Sequence, residues 1–178
     1  MKDDAEKLYL EKYKELYTLA KEAFAEELAR LARIDDKAAK YLSVITVILG
    51  IYGFFTKYAI EKCIPIKGFF DLLLVGIIVL LLVSLVITWY NIFRVLKIDS
   101  YAKIPVDLDF FRKNDLTSIY FSLAKGMKEN MQKNRKQGDN KALWLRRSYK
   151  LIGLNVILIM TTIVLYICSY FSKLPTIY

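Results

Sequence analysis

The chain contains no histidine. The commonest general base and metal ligand is therefore missing, and two cysteines, Cys63 and Cys168, do not give the spacing of a zinc site. Nor is there a glycine-rich phosphate loop or a nucleophile elbow. No enzymatic activity, cofactor or metal is expected. Glycine and proline are scarce, at seven and three, and neither occurs before Gly50. Nothing in the first half-hundred residues therefore breaks a helix.

Charge is missing from three long stretches. Tyr41 to Thr56, Leu72 to Phe93 and Leu151 to Ser172 carry none, in a chain that is otherwise 25% charged. Roughly 20 helical residues cross the ~30 Å hydrocarbon core of a bilayer. The first run reaches that length if Lys40 and Lys57 extend their charged ends to the interface. The reading is an all-α membrane protein with three transmembrane helices, at residues 41–60, 72–93 and 151–171. Residues 1–40 are charged throughout, so no cleavable signal is expected ahead of the spans.

Lys and Arg in the flanks set the orientation. Residues 1–40 hold nine Lys/Arg against ten Asp/Glu, residues 57–71 three against two, and residues 94–150 fourteen against six. Nearly all of the net +9 thus lies in the 94–150 segment, which is expected in the cytoplasm together with the N-terminus. The 61–71 loop and the 172–178 tail are expected outside. Such a basic segment suits nucleic acid or anionic lipid. Because Lys97, Lys103, Arg146, Arg147 and Lys150 sit close to the spans, lipid is the expected partner and nucleic acid is not. Cys63 and Cys168 both fall near the outer face, where they pair if the compartment is oxidising and otherwise remain thiols.

Apolar residues at Leu10, Tyr13, Tyr17, Ala20, Phe24, Leu28, Leu31, Ile34 and Ala38 recur by threes and fours. A single rod helix is expected from about Ala5 to Phe55, half of it in the cytoplasm. After the second span, "IDSYAKIPVDLDFFRKND" reads as irregular. A further helix is expected from Asn114 or Asp115, either of which can cap it, until Gly138 breaks it within "KQGDN". Asp139 or Asn140 then starts the next. The result is a cytoplasmic helical bundle made of the long N-terminal rod and a helical hairpin over 115–150.

Small and hydroxyl residues lie in stripes. In the first span, Ser43, Thr46, Gly50 and Gly53 follow by threes and fours, with Asp36 one heptad before Ser43. In the third, Ser148, Asn155, Thr162 and Ser169 recur every seventh residue, and in the second Ser84, Thr88 and Asn91 share a face. Such faces let helices approach closely, although a hydroxyl can instead bond its own helix's carbonyls. Asn155 needs a partner in hydrocarbon. The rod's apolar stripe (17, 24, 31, 38) and the small stripe (36, 43, 50, 57) are two residues out of phase, about 200°. Opposite faces of one helix would then serve the protomer and another subunit, giving a homo-oligomer whose candidate contact or pore face is Ser43, Thr46, Gly50 and Gly53. Asp36 would head that face, while Asp35 would be an ordinary charge of the interface.

An Asp-x-Lys-Ala at the membrane edge (Asp35, Asp36, Lys37, Ala38) is followed by two spans. "IYF" (Ile119 to Phe121) comes next, and then a third span entered through "LWLRRSY" (Leu143 to Tyr149). Over Ala29 to Tyr170 this pattern resembles the Pycsar transmembrane effector family and, in outline, the wider SLATT class of small membrane effectors. The resemblance implies a role in bacterial antiphage defence, in which a nucleotide second messenger made on infection triggers damage to the inner membrane. Where the family carries Pro-Arg after the second span, this chain has Lys97, Ile98 and then Ile104-Pro105-Val106. No cyclic-nucleotide-binding domain is recognisable. The trigger is therefore open between a cyclic nucleotide and a cytoplasmic sensor protein. Lys37, Lys40, Arg146 and Arg147 are the candidate contacts for a phosphate or a lipid headgroup.

Overall fold

The computed structural model describes residues 2–63, 68–97, 101–104 and 108–172, with side chains at 5–58, 61, 68–69, 71–97, 101–104 and 109–171. These residues form four helices, α1 (Lys2–Cys63), α2 (Phe69–Leu96), α3 (Leu108–Lys113) and α4 (Leu116–Ser172), and none of the described residues is in a strand. Three of the helices, α1, α2 and α4, are long and apolar enough to cross a membrane. The Cys63 side chain lies outside the described residues, and with it the question of a Cys63–Cys168 pair.

The helix ends follow local chemistry. Asp115 caps α4: its Oδ2 accepts a hydrogen bond from the Ser118 amide at 3.3 Å, and the Ser118 hydroxyl, with that amide bond second, holds its carboxyl below the usual carboxylate range. Asn114 Nδ2 donates to the Phe110 carbonyl at 2.8 Å, satisfying an orphan acceptor at the end of α3. α3 lies within the stretch expected to be irregular. Its six residues carry Asp109 in the first turn and Arg112 and Lys113 in the last, which suits the helix dipole at both ends.

The expected break at Gly138 is absent, and with it the 115–150 hairpin: α4 runs unbroken from Leu116 to Ser172. Glycine serves a different need there. A Cβ at position 138 would lie 2.7 Å from Leu31 Cδ2 and 3.1 Å from Arg30 Nη2. Gly138 is thus a point of close helix approach, and its helix-breaking tendency of about 1 kcal/mol is outweighed by the contact it permits.

The chain divides into two compact units, residues 1–35 with 98–142 and residues 36–97 with 143–178. In the first, the start of α1 packs alongside α4. Tyr13 meets Phe121 edge-on at 5.8 Å, and Tyr17 lies 5.5 Å from Tyr120. Arg30 pairs with Asp139 at 2.6 Å, and Leu31 is fully buried. Residues 101–104 are tied to α4 by amides. Asn134 Oδ1 accepts from the Ala102 amide at 2.9 Å, its Nδ2 donates to the Ala102 carbonyl at 3.4 Å, and Asn130 Nδ2 donates to the Lys103 carbonyl at 3.2 Å.

In the second unit, the buried residues of α2 are Asp71, Leu74, Ile78, Leu81, Leu85, Thr88, Ile92 and Val95. That alternation of threes and fours is the heptad of left-handed helix packing, usual in membrane bundles. Leu74 and Ile78 form a core with Tyr52, Leu165 and Tyr166, and the Tyr52 hydroxyl donates to the Ile78 carbonyl at 3.4 Å. The large exposed apolar residues of the spans, such as Val47, Phe54, Val83 and Ile163, point away from this packing, as lipid-facing positions do.

Candidate functional site

The polar stripe of the third span is an interhelical seam. Ser148, Asn155 and Ser169 are buried and Thr162 is half-buried. Asn155 Nδ2 donates to Thr88 Oγ1 at 3.0 Å, and Thr88 Oγ1 donates to its own helix at the Ser84 carbonyl, 2.8 Å away. Toward the other end of the seam, Ser169 Oγ donates to Asp71 Oδ1 at 2.6 Å, with both side chains buried. Ser148 and Thr162 bond the carbonyls of Trp144 and Leu158 in their own helix. Asn155 and Ser169 therefore bridge helices, and the Thr162 hydroxyl, besides its own-helix bond, also meets the Tyr52 hydroxyl of α1.

Asn155 is only half satisfied. Its Oδ1 is buried and meets no donor. An unpaired amide oxygen costs about 1–3 kcal/mol, while the Thr88 bond contributes on the order of 0.6 kcal/mol in a membrane setting. Asn155→Leu removes both, and leaves Thr88 its bond to Ser84. Its melting midpoint in detergent is expected at or above that of wild type. A clear fall on thermal unfolding would show that the amide oxygen is well served.

The seven-residue stride extends further back along α4 than the spans do. One and two steps before Ser148 stand Lys141 and Asn134, both buried. Asn134 holds the Ala102 backbone. Lys141 reaches the membrane-edge motif: its Nζ donates to Asp35 Oδ1 at 3.0 Å and to the Tyr101 hydroxyl at 3.3 Å, and Tyr101 in turn donates to Asp35 Oδ2. The Lys141 side chain is 8% exposed and that of Asp35 30%. Burial pushes the Tyr101 hydroxyl up, with the bond to Asp35 adding to it. Burial opposes the charge on Lys141, but the bonds to Asp35 and Tyr101 outweigh it, so its ammonium is held above the ordinary lysine value.

The two aspartates are thus placed very differently. Asp35 belongs to this buried cluster, whereas Asp36 is exposed and pairs with Lys40 at 2.8 Å one helical turn on. Ala38 is fully buried and Lys37 is exposed. Arg146 is exposed, and Arg147 lies 5.0 Å above the Trp144 ring, with Arg94 of α2 over the same ring at 4.3 Å. The four candidate phosphate or lipid contacts are therefore separate: Lys40 is held by Asp36, Arg147 rests on Trp144, and Lys37 and Arg146 are open to solvent.

Ser43, Thr46, Gly50 and Gly53 are all exposed. The hydroxyls of Ser43 and Thr46 donate to their own helix, at the Ala39 and Leu42 carbonyls. A Cβ at Gly50 or Gly53 would meet nothing within 4 Å. On the same helix Leu31, Ala38 and Ile45 are buried. The 200° offset read from the sequence thus separates a buried face from an open one.

No protein-family model, characterised protein or solved structure matches this chain.

Proposed function

We propose that this chain is a small multi-pass effector of bacterial antiphage defence, which assembles into homo-oligomers and perturbs the inner membrane when triggered by a nucleotide signal or a partner protein. The observation that carries the reading is the open small-residue face of α1. Ser43, Thr46, Gly50 and Gly53 are exposed within a helix long and apolar enough to span, and in lipid such faces bring helices together through close backbone approach. The basic 94–150 segment and the N-terminus would lie in the cytoplasm and the C-terminus outside. The membrane lipids themselves would be the target.

A second reading is a membrane anchor that recruits a cytoplasmic partner through exposed charged residues of α4 such as Lys133. Inducible expression with a membrane-potential dye separates the two. The effector reading expects growth arrest with depolarisation, lost in Gly50→Leu, whose side chain fills the approach face. Harmless accumulation of wild-type protein at the same level would overturn it in favour of the anchor.

A further inference from the structure

The first unit carries an open groove of about 510 Å³ between α1 and α4, lined by Leu16, Leu19, Ala20 and Ala23 on one side and by Phe121, Ala124 and Met131 on the other, with Lys125 and Lys128 at its edge. Its walls are exposed apolar surface, Leu19 at 58% and Phe121 at 50%. Rows of charge of opposite sign flank it. On α1, the exposed Glu15, Glu22 and Glu26 lie about 70–110° round the helix from the groove stripe, on the side away from the half-buried Tyr13, Tyr17 and Phe24. Of the lysines at 12, 14 and 21, only Lys12 shares that side. On α4, the exposed Lys125, Lys128, Arg135 and Lys136 form the other lip, with Glu129 one step further round. The surface is thus acidic, apolar and basic in order across its width.

We infer that this groove is a docking surface for a second copy of the chain, related by a two-fold axis that runs along the helices. The charge order selects both the partner and the axis. An isologous interface presents the same patch from both sides. A two-fold axis across the helices would set acidic lip on acidic lip, whereas one along the helices sets each acidic lip on the partner's basic lip and the apolar floors on each other. The favoured axis also leaves the two copies parallel, which two chains inserted the same way into one membrane must be. The register agrees. Tyr17 beside Tyr120 and Leu31 against Gly138 show α1 and α4 running parallel at nearly matched heights, which brings Glu22 level with Lys128. This surface lies outside the spans, and the inference does not rest on effector activity.

The test uses the full chain in lipid nanodiscs or detergent, with Cys63→Ser and Cys168→Ser and a reporter Leu19→Cys on the groove wall. Chains carrying two different tags are cross-linked through Leu19→Cys, so contacts through the small-residue face of the span do not register. The parent should cross-link efficiently. Glu22→Lys alone and Lys128→Glu alone should each fall at least about tenfold, because each now faces like charge at both lips. A mixture of the two variants should recover, since in the mixed dimer both lips are again complementary, and recovery also shows that both variants fold. A parent that does not cross-link, single variants that cross-link like the parent, or a mixture no better than either variant alone would each overturn the inference.

Discussion

Asp35→Asn is expected to destabilise the protein by about 2–3 kcal/mol, and Asp36→Asn by only about 0.3 kcal/mol. The two residues are neighbours in sequence, and their difference lies in the partners. Removing the Asp35 charge leaves the Lys141 ammonium, 8% exposed, without its carboxylate. Breaking a fully buried pair costs about 3–5 kcal/mol; the lower figure here reflects the 30% exposure of Asp35, which lets water into the pair. Asp36 and Lys40 are 61% and 72% exposed, and an exposed i,i+4 pair adds a few tenths. Lys141→Met removes the buried charge itself and leaves Asp35 its bond from Tyr101 and its contact with solvent, so it should cost less than Asp35→Asn. Thermal melts of the three variants in one detergent check the order, and equal midpoints for Asp35→Asn and Asp36→Asn would show that the cluster contributes nothing.

The cluster also fixes a direction in pH. Both Tyr101 and Lys141 are held above their ordinary values. A group with a raised folded-state pKa supports the fold fully below its unfolded value and loses that support as pH rises through the folded one. The cluster's stability should therefore fall above about pH 10, and Lys141→Met should flatten that alkaline loss.

Gly138→Val is expected to cost about 3 kcal/mol, by forcing branched carbon into a space where even a Cβ comes within 2.7 Å of Leu31. Gly138→Ala sets two effects against each other. Alanine gains about 1 kcal/mol of helix propensity, but crowding a packed core costs about 1–3 kcal/mol. Leu31 is 0% exposed and has little room to yield, so crowding should win. Two controls make the test specific. Gly126→Ala on the same helix meets nothing within 4 Å and should be stabilising by up to about 1 kcal/mol. Leu31→Ala should cost less in the Gly138→Ala background than alone, because the two side chains compete for one space. Denaturation that placed Gly138→Ala above wild type would mean that α1 can move away from α4 at no cost.

Much of the helical organisation could be read in advance, because the three uncharged runs and the absence of glycine and proline before residue 50 act locally. The every-seventh polar stride was legible from Ser148 to Ser169. Its continuation back to Lys141 and Asn134 was equally periodic, but it was hidden by the expectation that Gly138 ends a helix. A glycine beside an aspartate and an asparagine is a turn signal by propensity; only the proximity of Leu31, more than a hundred residues earlier in the chain, turns it into a contact. The distinction between Asp35 and Asp36 was likewise beyond sequence. Tyr101 and Lys141 stand 66 and 106 residues from Asp35, and no local rule couples them. Helical phase separated the two aspartates but made Asp35 the ordinary charge, whereas Asp35 is the one that is covered and Asp36 the one left exposed.

The buried stride itself constrains how such a chain can change. In α4 the buried polar positions repeat by seven from Asn134 through Asn155, and in α1 the buried Leu31, Ala38 and Ile45 do the same. Inserting one residue into either helix turns everything beyond it by about 100°, exchanging covered positions for open ones along the rest of its length. Length in these helices is therefore quantised. A variant that gains or loses seven residues keeps its faces, and one that gains or loses two or three does not, so surviving insertions in this protein should fall in the connections or arrive in heptads.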